Sequence, residues 1–406
     1  MLVREGKGSQ MSFFAKLSIW LRKPVIKLVN KPTPVTYIGA GRVKEVGGLL
    51  FAMDIKKVLI ITDRMLRKLG LLDGLLAGIE AEGIEAAIFD GVLPDPTFDV
   101  VNEAEQSYGD CEAIVAVGGG SVLDTAKAVG AAVSSGKPAA GLAGLLKVKK
   151  HLPPFIAVPT TAGTGSETTV AAVISDPSTH TKKQLLDPKL VPSFAVLDAS
   201  LTVGLPPHTT AHTALDALTH ALEAIVADYA DGETNQKAFM AVRMIYENLP
   251  RVMENPHDLK AREALLVASF FGGMAFTRTY VGYVHAYAHT VGGRYGIPHG
   301  LANAVLLPHV MEYYLPVCAA HFARLGELTG VCEAGDPTQR KARKFVDSLF
   351  LLNRRFLIPQ RFEKFPAGDI DEVIAAAFRE CHGVYPVPRY YSRGTARALL
   401  EKVCAL

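Results

Sequence analysis

The stretch GYVHAYAHTVGGRYGIPHGLANAVLLPH (282–309) decides how this chain is interpreted, because it sets four of the twelve histidines in a largely apolar sequence. His285 and His289 are four residues apart, so on a helix they share one face. His299 comes after a run of glycines and a proline, which predicts a break in that helix. The spacing therefore predicts packed helices that gather several imidazole side chains.

An upstream segment, LDALTHALEA (215–224), supplies a second pair with the same spacing. Asp216 and His220 are four apart in an apolar sequence that predicts a buried helix. A single histidine of this kind is usually a hydrogen-bonded residue of the core or of the surface. Two such pairs, with a third histidine behind a glycine turn, favour a divalent-metal site, since imidazole and carboxylate are suitable ligands.

Composition limits the class of protein. The chain has 406 residues, more than one hydrophobic core usually spans, so two domains are expected. A net charge of +3 is too small to indicate nucleic acid as a partner. No apolar run is long and charge-free enough to span a bilayer. The five widely spaced cysteines form no CxxC pair, which predicts reduced thiols and a cytoplasmic protein.

Residues 1–31 differ in composition from the rest of the chain. Over residues 11–31, aromatic residues and leucines alternate with lysine and arginine, and because lysine interrupts the apolar run the segment is a poor signal peptide. A basic amphipathic helix can lie on an anionic membrane surface. It can also pack on its own protein or on a neighbouring subunit, and this is the interpretation that we favour.

Short apolar runs alternate with helical patterns from Thr36 to about Leu197. Six of them predict strands: 35–39, 58–62, 85–89, 113–117, 154–158 and 193–197. This alternation predicts an α/β domain with a mostly parallel sheet, which binds ligands beyond the carboxyl ends of its strands. The strand signal then fades, so we expect an extension over 1–31, an α/β nucleotide-binding domain over 32–200 and an all-α metal-binding domain over 201–406.

The motif VGGGSVLDTAKAVG (117–130) follows a predicted strand and begins a helix. Gly118, Gly119 and Gly120 leave room for a diphosphate, and Ser121 and the first helical N–H groups can donate to it. A plain turn between a strand and a helix would also contain glycines. The position after a strand, with Asp124 in the first turns of the helix, favours nucleotide binding.

Two further polar positions lie at the carboxyl ends of predicted strands. The loop PTTAGTGSETT (159–169) offers the hydroxyls of Thr160, Thr161, Thr164 and Thr169, although such a loop can be purely structural. Asp63 ends the second strand, where a carboxylate can bind an adenosine ribose and repel a 2′-phosphate. It can equally cap the next helix.

These motifs together resemble the group III, iron-dependent alcohol dehydrogenase family, over nearly the whole chain from about Tyr37. The resemblance rests on DALTHALEA, GYVHAYAH and PHGLANAVLLPH, and on GGGSVLDTAK, which is similar to the family signature GGGSxxDxAK. It implies a dehydroquinate synthase-like architecture with the active site in a cleft between the two domains.

The resemblance also implies roles for single residues. The implied metal ligands are Asp216, His220, His285 and His299, and His289 would lie near the nicotinamide. The loop after residue 159 would contact the cofactor, Lys182 would lie near its ribose, and Asp63 would select NAD over NADP. Asp95 stands where many members have asparagine, so it is a weaker candidate for a cofactor contact.

The segment MAFTRTYVGYVH (274–285) resembles the substrate pocket of the family but departs from it. Phe276 matches a pocket aromatic residue, whereas Arg278 stands where asparagine is common and Tyr280 is bulkier than usual. Arg278 can pair with an acidic substrate or with a carboxylate of the protein, and we expect the second. The departure concerns the substrate class and not the reaction.

We therefore predict a metal-dependent oxidoreductase that transfers a hydride between NAD(H) and an alcohol and its aldehyde or ketone. Fe2+ or Zn2+ would activate the alcohol, and His289 would orient groups or relay a proton. One alternative is a lyase similar to dehydroquinate synthase, which uses NAD and zinc but needs a different ligand set. The other alternative, suggested by the basic N-terminal segment, is a non-catalytic NAD-binding or membrane-associated protein. We also expect a homodimer or a larger homo-oligomer.

Overall fold

The computed structural model of the chain describes residues 16–24, 32–177 and 181–405. These residues form two compact units. The sheet unit contains the described residues of Asn30–Pro207 and of Pro250–Met274. The helical unit contains those of Met1–Val29, His208–Leu249 and Ala275–Leu406. Pro250–Met274 thus belongs with the sheet, although it comes after the sheet region in the chain, and the expected domain limits of 32–200 and 201–406 stay a prediction.

The sheet unit is built on a six-stranded sheet in which every neighbouring pair is parallel. Its strands are β1 (Val35–Ile38), β2 (Lys57–Ile61), β3 (Glu85–Phe89), β4 (Ala113–Gly118), β6 (Phe155–Pro159) and β9 (Phe194–Leu197). Their order is β1-β9-β6-β4-β2-β3. Apolar runs in the sequence predict all six, and the α/β fold class is confirmed.

Both faces of this sheet are covered, which explains why its strands are continuously apolar. Along β4, Ile114 and Ala116 lie in one hydrophobic core, whereas Val115 and Val117 lie in the core on the other face. The helices of this unit are α2 (Val46–Ala52), α3 (Arg64–Lys68), α4 (Asp73–Ala81), α5 (Phe98–Gln106) and α6 (Gly120–Ser135). The helices α3 and α4 are separated at Gly70, which has a φ of 71°.

A second, three-stranded sheet was not predicted. Its strands are β5 (Gly144–Leu145), β7 (Ala171–Asp176) and β8 (Thr181–Leu186), in the order β5-β8-β7. β7 and β8 are antiparallel, and β8 begins with the polar sequence TKKQ. A strand with so few apolar residues carries little signal in the sequence, because its stability depends on the neighbour with which it pairs.

The helical unit is formed by α-helices over most of its length. They are α1 (residues 16–24), α7 (Pro207–Val226), α8 (Gly232–Glu254), α9 (Leu259–Thr279), α10 (Tyr283–Tyr295), α11 (His299–Leu328), α12 (Thr338–Arg355), α13 (Ile370–Cys381) and α14 (Arg393–Val403), where α8 and α9 each have residues in both units. The break before His299 occurs at Gly296, whose φ of 64° ends α10, and Pro298 precedes the first residue of α11.

A membrane-spanning helix must be both long and apolar. Among the described residues, no single helix meets both requirements. The pair α9 and α10 meets them only when the two helices are taken together, across a bend of 104°.

Candidate metal and cofactor sites

The four candidate metal ligands lie together on three helices of the helical unit. Asp216 and His220 are one turn apart on α7, His285 is in the first turn of α10, and His299 is the first residue of α11. Ligand atoms of Asp216, His220 and His285 lie within 4.8 Å of one another. Oδ1 of Asp216 is 3.5 Å from Nε2 of His299 and 3.7 Å from Nε2 of His285. A carboxylate and imidazole nitrogens at this spacing suit a divalent ion such as iron or zinc.

Burial of this cluster leaves one side accessible. Asp216, His220 and His285 are each at most 5% exposed. The ring of His220 stacks between Phe276, at a centroid distance of 4.2 Å, and His285, at 4.6 Å. The His299 side chain, by contrast, is 35% exposed. Of the four candidate ligands, His299 is therefore the one that is partly open to solvent.

The charge state of Asp216 also fits a cation. Burial alone would raise the pKa of its carboxyl group, but the neighbouring His220, His299 and His285 together lower that pKa below its usual value. The side chain is therefore an anion at neutral pH. A divalent ion would balance this buried negative charge.

Glu223 was not among the predicted site residues, yet it fixes the position of His285. Its buried carboxylate accepts three hydrogen bonds of 2.7 Å, from the backbone N–H groups of Gly282 and Val284 and from Nδ1 of His285. A Cβ atom at Gly282 would lie 2.8 Å from Oε1 of Glu223, so only glycine allows this approach. The Nδ1 bond leaves Nε2 of His285 free to face Asp216. The spacing of Glu223 from Asp216, seven residues along α7, was a signal that could have indicated it.

Asn303 is a further polar side chain of the cluster, one turn after His299 on α11. Its Nδ2 lies 2.6 Å from Oδ1 of Asp216, 3.1 Å from Nε2 of His299 and 3.2 Å from Nε2 of His285. Its Oδ1 is buried and has no hydrogen-bond partner among the described residues. The amide therefore orients Asp216, and the spacing of four residues from His299 could have pointed to it.

His289 lies beside the cluster but makes a different set of contacts. Its ring stacks on that of His299 at 5.3 Å and meets the ring of His285 edge-on at 5.7 Å. Its Nδ1 is 2.7 Å from Oε1 of Glu380, which also accepts from the Tyr385 hydroxyl at 2.7 Å. Because a carboxylate only accepts, Nδ1 of His289 donates, and in the neutral ring Nε2 is then the acceptor. Glu380 is 91 residues away in the chain, so no local pattern could have indicated this pair.

The two predicted pocket residues have different surroundings. Phe276 packs directly on the candidate ligand His220. Arg278 forms an ion pair with Glu233, with its Nη1 and Nη2 atoms 3.3 Å and 2.8 Å from the two carboxylate oxygens. The expectation that Arg278 pairs with a protein carboxylate is thus confirmed. Tyr280, at the break between α9 and α10, has the left-handed φ of 61°.

The glycine motif forms the turn from β4 into α6, as predicted. Gly118 ends β4, and its carbonyl accepts a hydrogen bond from Thr160 N at 3.0 Å. Gly119 is the N-cap of α6, where no side chain caps the helix, and Ser121 lies in the first turn. A Cβ atom at Gly120 would lie only 2.7 Å from Cγ2 of Thr164. The glycines thus bring the threonine loop close to an uncapped helix N-terminus, which attracts a phosphate.

The threonine loop itself is held by buried polar groups. The carboxylate of Asp124 accepts from Ser166 Oγ at 2.6 Å and from Val173 N at 2.9 Å. Lys127 is fully buried and donates to Thr169 Oγ1 at 2.8 Å, to Thr169 O at 3.0 Å and to Ala171 O at 2.8 Å. Asp124 and Thr169, both predicted to contact the cofactor, thus bond mainly to protein groups. Burial lowers the pKa of Lys127 to about 8.

Thr161 and Thr164 of the threonine loop lie next to the glycine turn, whereas Asp63 lies at the start of α3. Thr161 lies next to Gly119, at 3.4 Å from the position of a Cβ atom there, and Thr164 Oγ1 accepts from Ser166 N at 3.3 Å. Asp63 is the N-cap of α3, where its Oδ1 accepts from Leu66 N at 2.9 Å.

Asp95 and Lys182 form an ion pair with each other, with Lys182 Nζ 2.7 Å from Asp95 Oδ1. Asp95 is 68% exposed and has a φ of 53°. The two residues that were predicted separately are therefore neighbours in the structure.

Comparison with known proteins identifies the family. Residues 32–199 match the iron-containing alcohol dehydrogenase family, and residues 210–404 match the C-terminal part of the Fe-containing alcohol dehydrogenase family. The chain is 38% identical over 340 residues to the NAD-dependent methanol dehydrogenase of Bacillus methanolicus, covering 83% of this chain and 89% of that protein. It is 38% identical over 341 residues to the 1,3-propanediol dehydrogenase of Klebsiella pneumoniae, covering 83% and 88%.

A solved structure agrees with these sequences. The alcohol dehydrogenase from Oenococcus oeni has a TM-score of 0.88 and 31% identity, covering 92% of this chain and 99% of that one. The chain therefore belongs to the iron-containing alcohol dehydrogenase family. It is a metal-dependent oxidoreductase that transfers a hydride between NAD(H) and an alcohol or aldehyde. A lyase similar to dehydroquinate synthase is not favoured.

Proposed function

We propose that this enzyme interconverts small primary alcohols or diols and their aldehydes, with one metal ion bound by Asp216, His220, His285 and His299. The observation that carries the proposal is the convergence of these side chains from α7, α10 and α11, three of them buried and His299 partly exposed. Two relatives are named for the small alcohols methanol and 1,3-propanediol, and this supports a small substrate for the present enzyme. Phe276 is the apolar side chain stacked against the cluster.

The protein groups divide the chemistry between them. An ion held by Asp216, His220, His285 and His299 would act as a Lewis acid on the substrate hydroxyl, and NAD, when bound, would supply the hydride-accepting chemistry. Glu223 holds His285 in the orientation that presents Nε2, and Asn303 orients the Asp216 carboxylate. His289, held at Nδ1 by Glu380, exchanges the proton of the substrate hydroxyl at Nε2.

A substrate panel tests this proposal. Enzyme reconstituted anaerobically with Fe2+ or Zn2+ is assayed with NAD and with alcohols of increasing chain length, branching and charge, and in reverse with the matching aldehydes and NADH. We expect the highest kcat/KM for unbranched primary alcohols or diols, and little for acidic substrates, because Arg278 is already paired with Glu233. Preference for an acidic alcohol would overturn the proposed substrate class.

The cofactor site is proposed to consist of the Gly118–Gly119–Gly120 turn, Ser121, the threonines of the loop, and Asp63, Asp95 and Lys182. The uncapped start of α6 supports diphosphate binding there. The bonds of Asp124 and Thr169 support a role in holding the loop. Asp63 comes shortly after β2 and uses one carboxylate oxygen as a helix cap.

Asp63→Gly is expected to raise the use of NADP relative to NAD by about tenfold, because it removes the carboxylate that repels a 2′-phosphate. The measurement is kcat/KM for both cofactors in wild type and variant. Asp63→Asn keeps a helix-capping side chain without the charge, so it separates capping from selectivity. Equal use of both cofactors by the wild type would show that Asp63 is only a cap.

We also propose a cytoplasmic homo-oligomer. β1 is an edge strand of the six-stranded sheet, and Val35 and Ile38 on it are 57% and 44% exposed, which favours pairing with another copy. All five cysteines are free, as suits a reducing compartment. A monomer in analytical ultracentrifugation would contradict the oligomeric part.

A further inference from the structure

The helix α1 is fixed to the helical unit by one of its faces. Ile19 is 4% exposed, and its carbonyl accepts a hydrogen bond of 2.8 Å from the Tyr229 hydroxyl. Lys23 donates to the carbonyl of Asp228, and Arg22 donates to that of Gly383 at 3.2 Å. The sequence left open whether this segment packs on protein or lies on a membrane, and this face packs on protein.

The opposite face of α1 carries large apolar side chains that the described protein does not cover. Leu17, Trp20 and Leu21 have the spacing i, i+3, i+4, so they form one stripe. They are 40%, 68% and 59% exposed. An apolar stripe of this kind on a helix that is already anchored marks a contact surface.

The charge around the stripe decides which partner it suits. The described helix carries Lys16, Arg22 and Lys23, and from Gly6 to Lys31 the sequence contains no Asp or Glu and adds only the basic residues Lys7, Lys27 and Lys31. A second copy of the chain would bring like charges together at this surface. An anionic bilayer attracts the basic residues, and its headgroup region accommodates tryptophan and leucine side chains.

We propose that α1 attaches the enzyme reversibly to membrane surfaces that contain anionic lipids. Trp20, Leu17 and Leu21 enter the headgroup region, and the net positive charge of Lys16, Arg22 and Lys23 attracts the helix to the anionic surface. The attachment is peripheral, because one short helix with three apolar side chains buries too little area for permanent anchoring.

The chain contains a single tryptophan, so intrinsic tryptophan fluorescence reports on α1 alone. The full-length holoenzyme is titrated with vesicles of phosphatidylcholine and phosphatidylglycerol in equal amounts, and with vesicles of phosphatidylcholine only. We expect a blue shift of the emission and co-sedimentation with the anionic vesicles. Both effects should be weak with the neutral vesicles and should decrease as salt is added.

Matched variants distinguish binding through this stripe from nonspecific adsorption of the protein to vesicles. Leu17→Ser combined with Leu21→Ser keeps Trp20 as the probe and should weaken vesicle binding by about tenfold or more. Leu351→Ser, which replaces a leucine on α12 that is 58% exposed, should bind like wild type. Turnover should be unchanged in all of them, since none of these residues belongs to the metal cluster.

Two results would overturn the proposal. The first is an emission maximum that does not move with anionic vesicles. The second is a blue shift that appears on raising the protein concentration without lipid, which would assign the stripe to a second copy of the chain.

Discussion

Asp216→Ala and His285→Ala are each expected to lose most of the bound metal and to lower turnover by about 10³-fold or more. Both side chains are almost fully buried, so water cannot readily replace the missing donor atom. Asp216 is also the one anionic member of the proposed ligand set. Metal per chain, measured by elemental analysis, and turnover should be determined on the same preparation.

His208→Ala is the matched control, because His208 lies on α7 as well but is exposed. It should keep both metal and turnover. Glu223→Gln is a milder substitution that tests the support of His285. The carboxylate accepts three hydrogen bonds, whereas an amide NH2 group cannot accept from the N–H donors that it would face. We expect metal affinity to fall by about 10- to 100-fold, with turnover restored by excess metal. Wild-type metal content in both alanine variants would refute the ligand assignment.

His289→Ala is expected to keep its metal while kcat falls by about 10²- to 10³-fold. The ring contacts the rings of His285 and His299, but its Nδ1 is bonded to Glu380, and a fifth protein ligand would occupy the position that an alcohol oxygen needs. Its loss therefore removes a proton-exchanging group and leaves the ligand set intact. The readouts are metal content and kcat, again on one preparation.

Glu380→Gln should lower kcat by less than His289→Ala, because it weakens the orientation of the imidazole but leaves the ring in place. His321→Ala, at a partly buried histidine of α11, serves as the control. Loss of metal in His289→Ala with metal retained in His299→Ala would mean that the roles of these two histidines are exchanged.

Much of the architecture was predictable from local patterns. A parallel strand covered on both faces must be apolar along its whole length, and the runs around Val58, Ile114 and Ile156 therefore identified β2, β4 and β6 without reference to other parts of the chain. The i, i+4 pairs Asp216/His220 and His285/His289 likewise depend on the helical period alone.

Boundaries were less predictable where they depend on packing. The sequence carries two separate helical patterns, over 303–314 and 319–328, but α11 is continuous from His299 to Leu328 and is only kinked at Cys318, near Pro316. The glycines at 292 and 293 lie within α10, which ends only at Gly296. Contacts with neighbouring helices stabilise helical backbone that local propensity disfavours.

The sequence by itself determined the sheet, the helical region and the residues available to bind a metal, since each of these depends on a period or spacing within one segment. Only the tertiary structure decided the partners: Glu223 for His285, Glu380 for His289, and Lys127 for Thr169. It also placed Pro250–Met274 with the sheet. The physical reason is that a buried polar group needs a specific partner, and that partner comes from whichever distant segment packs against it, which no local period records.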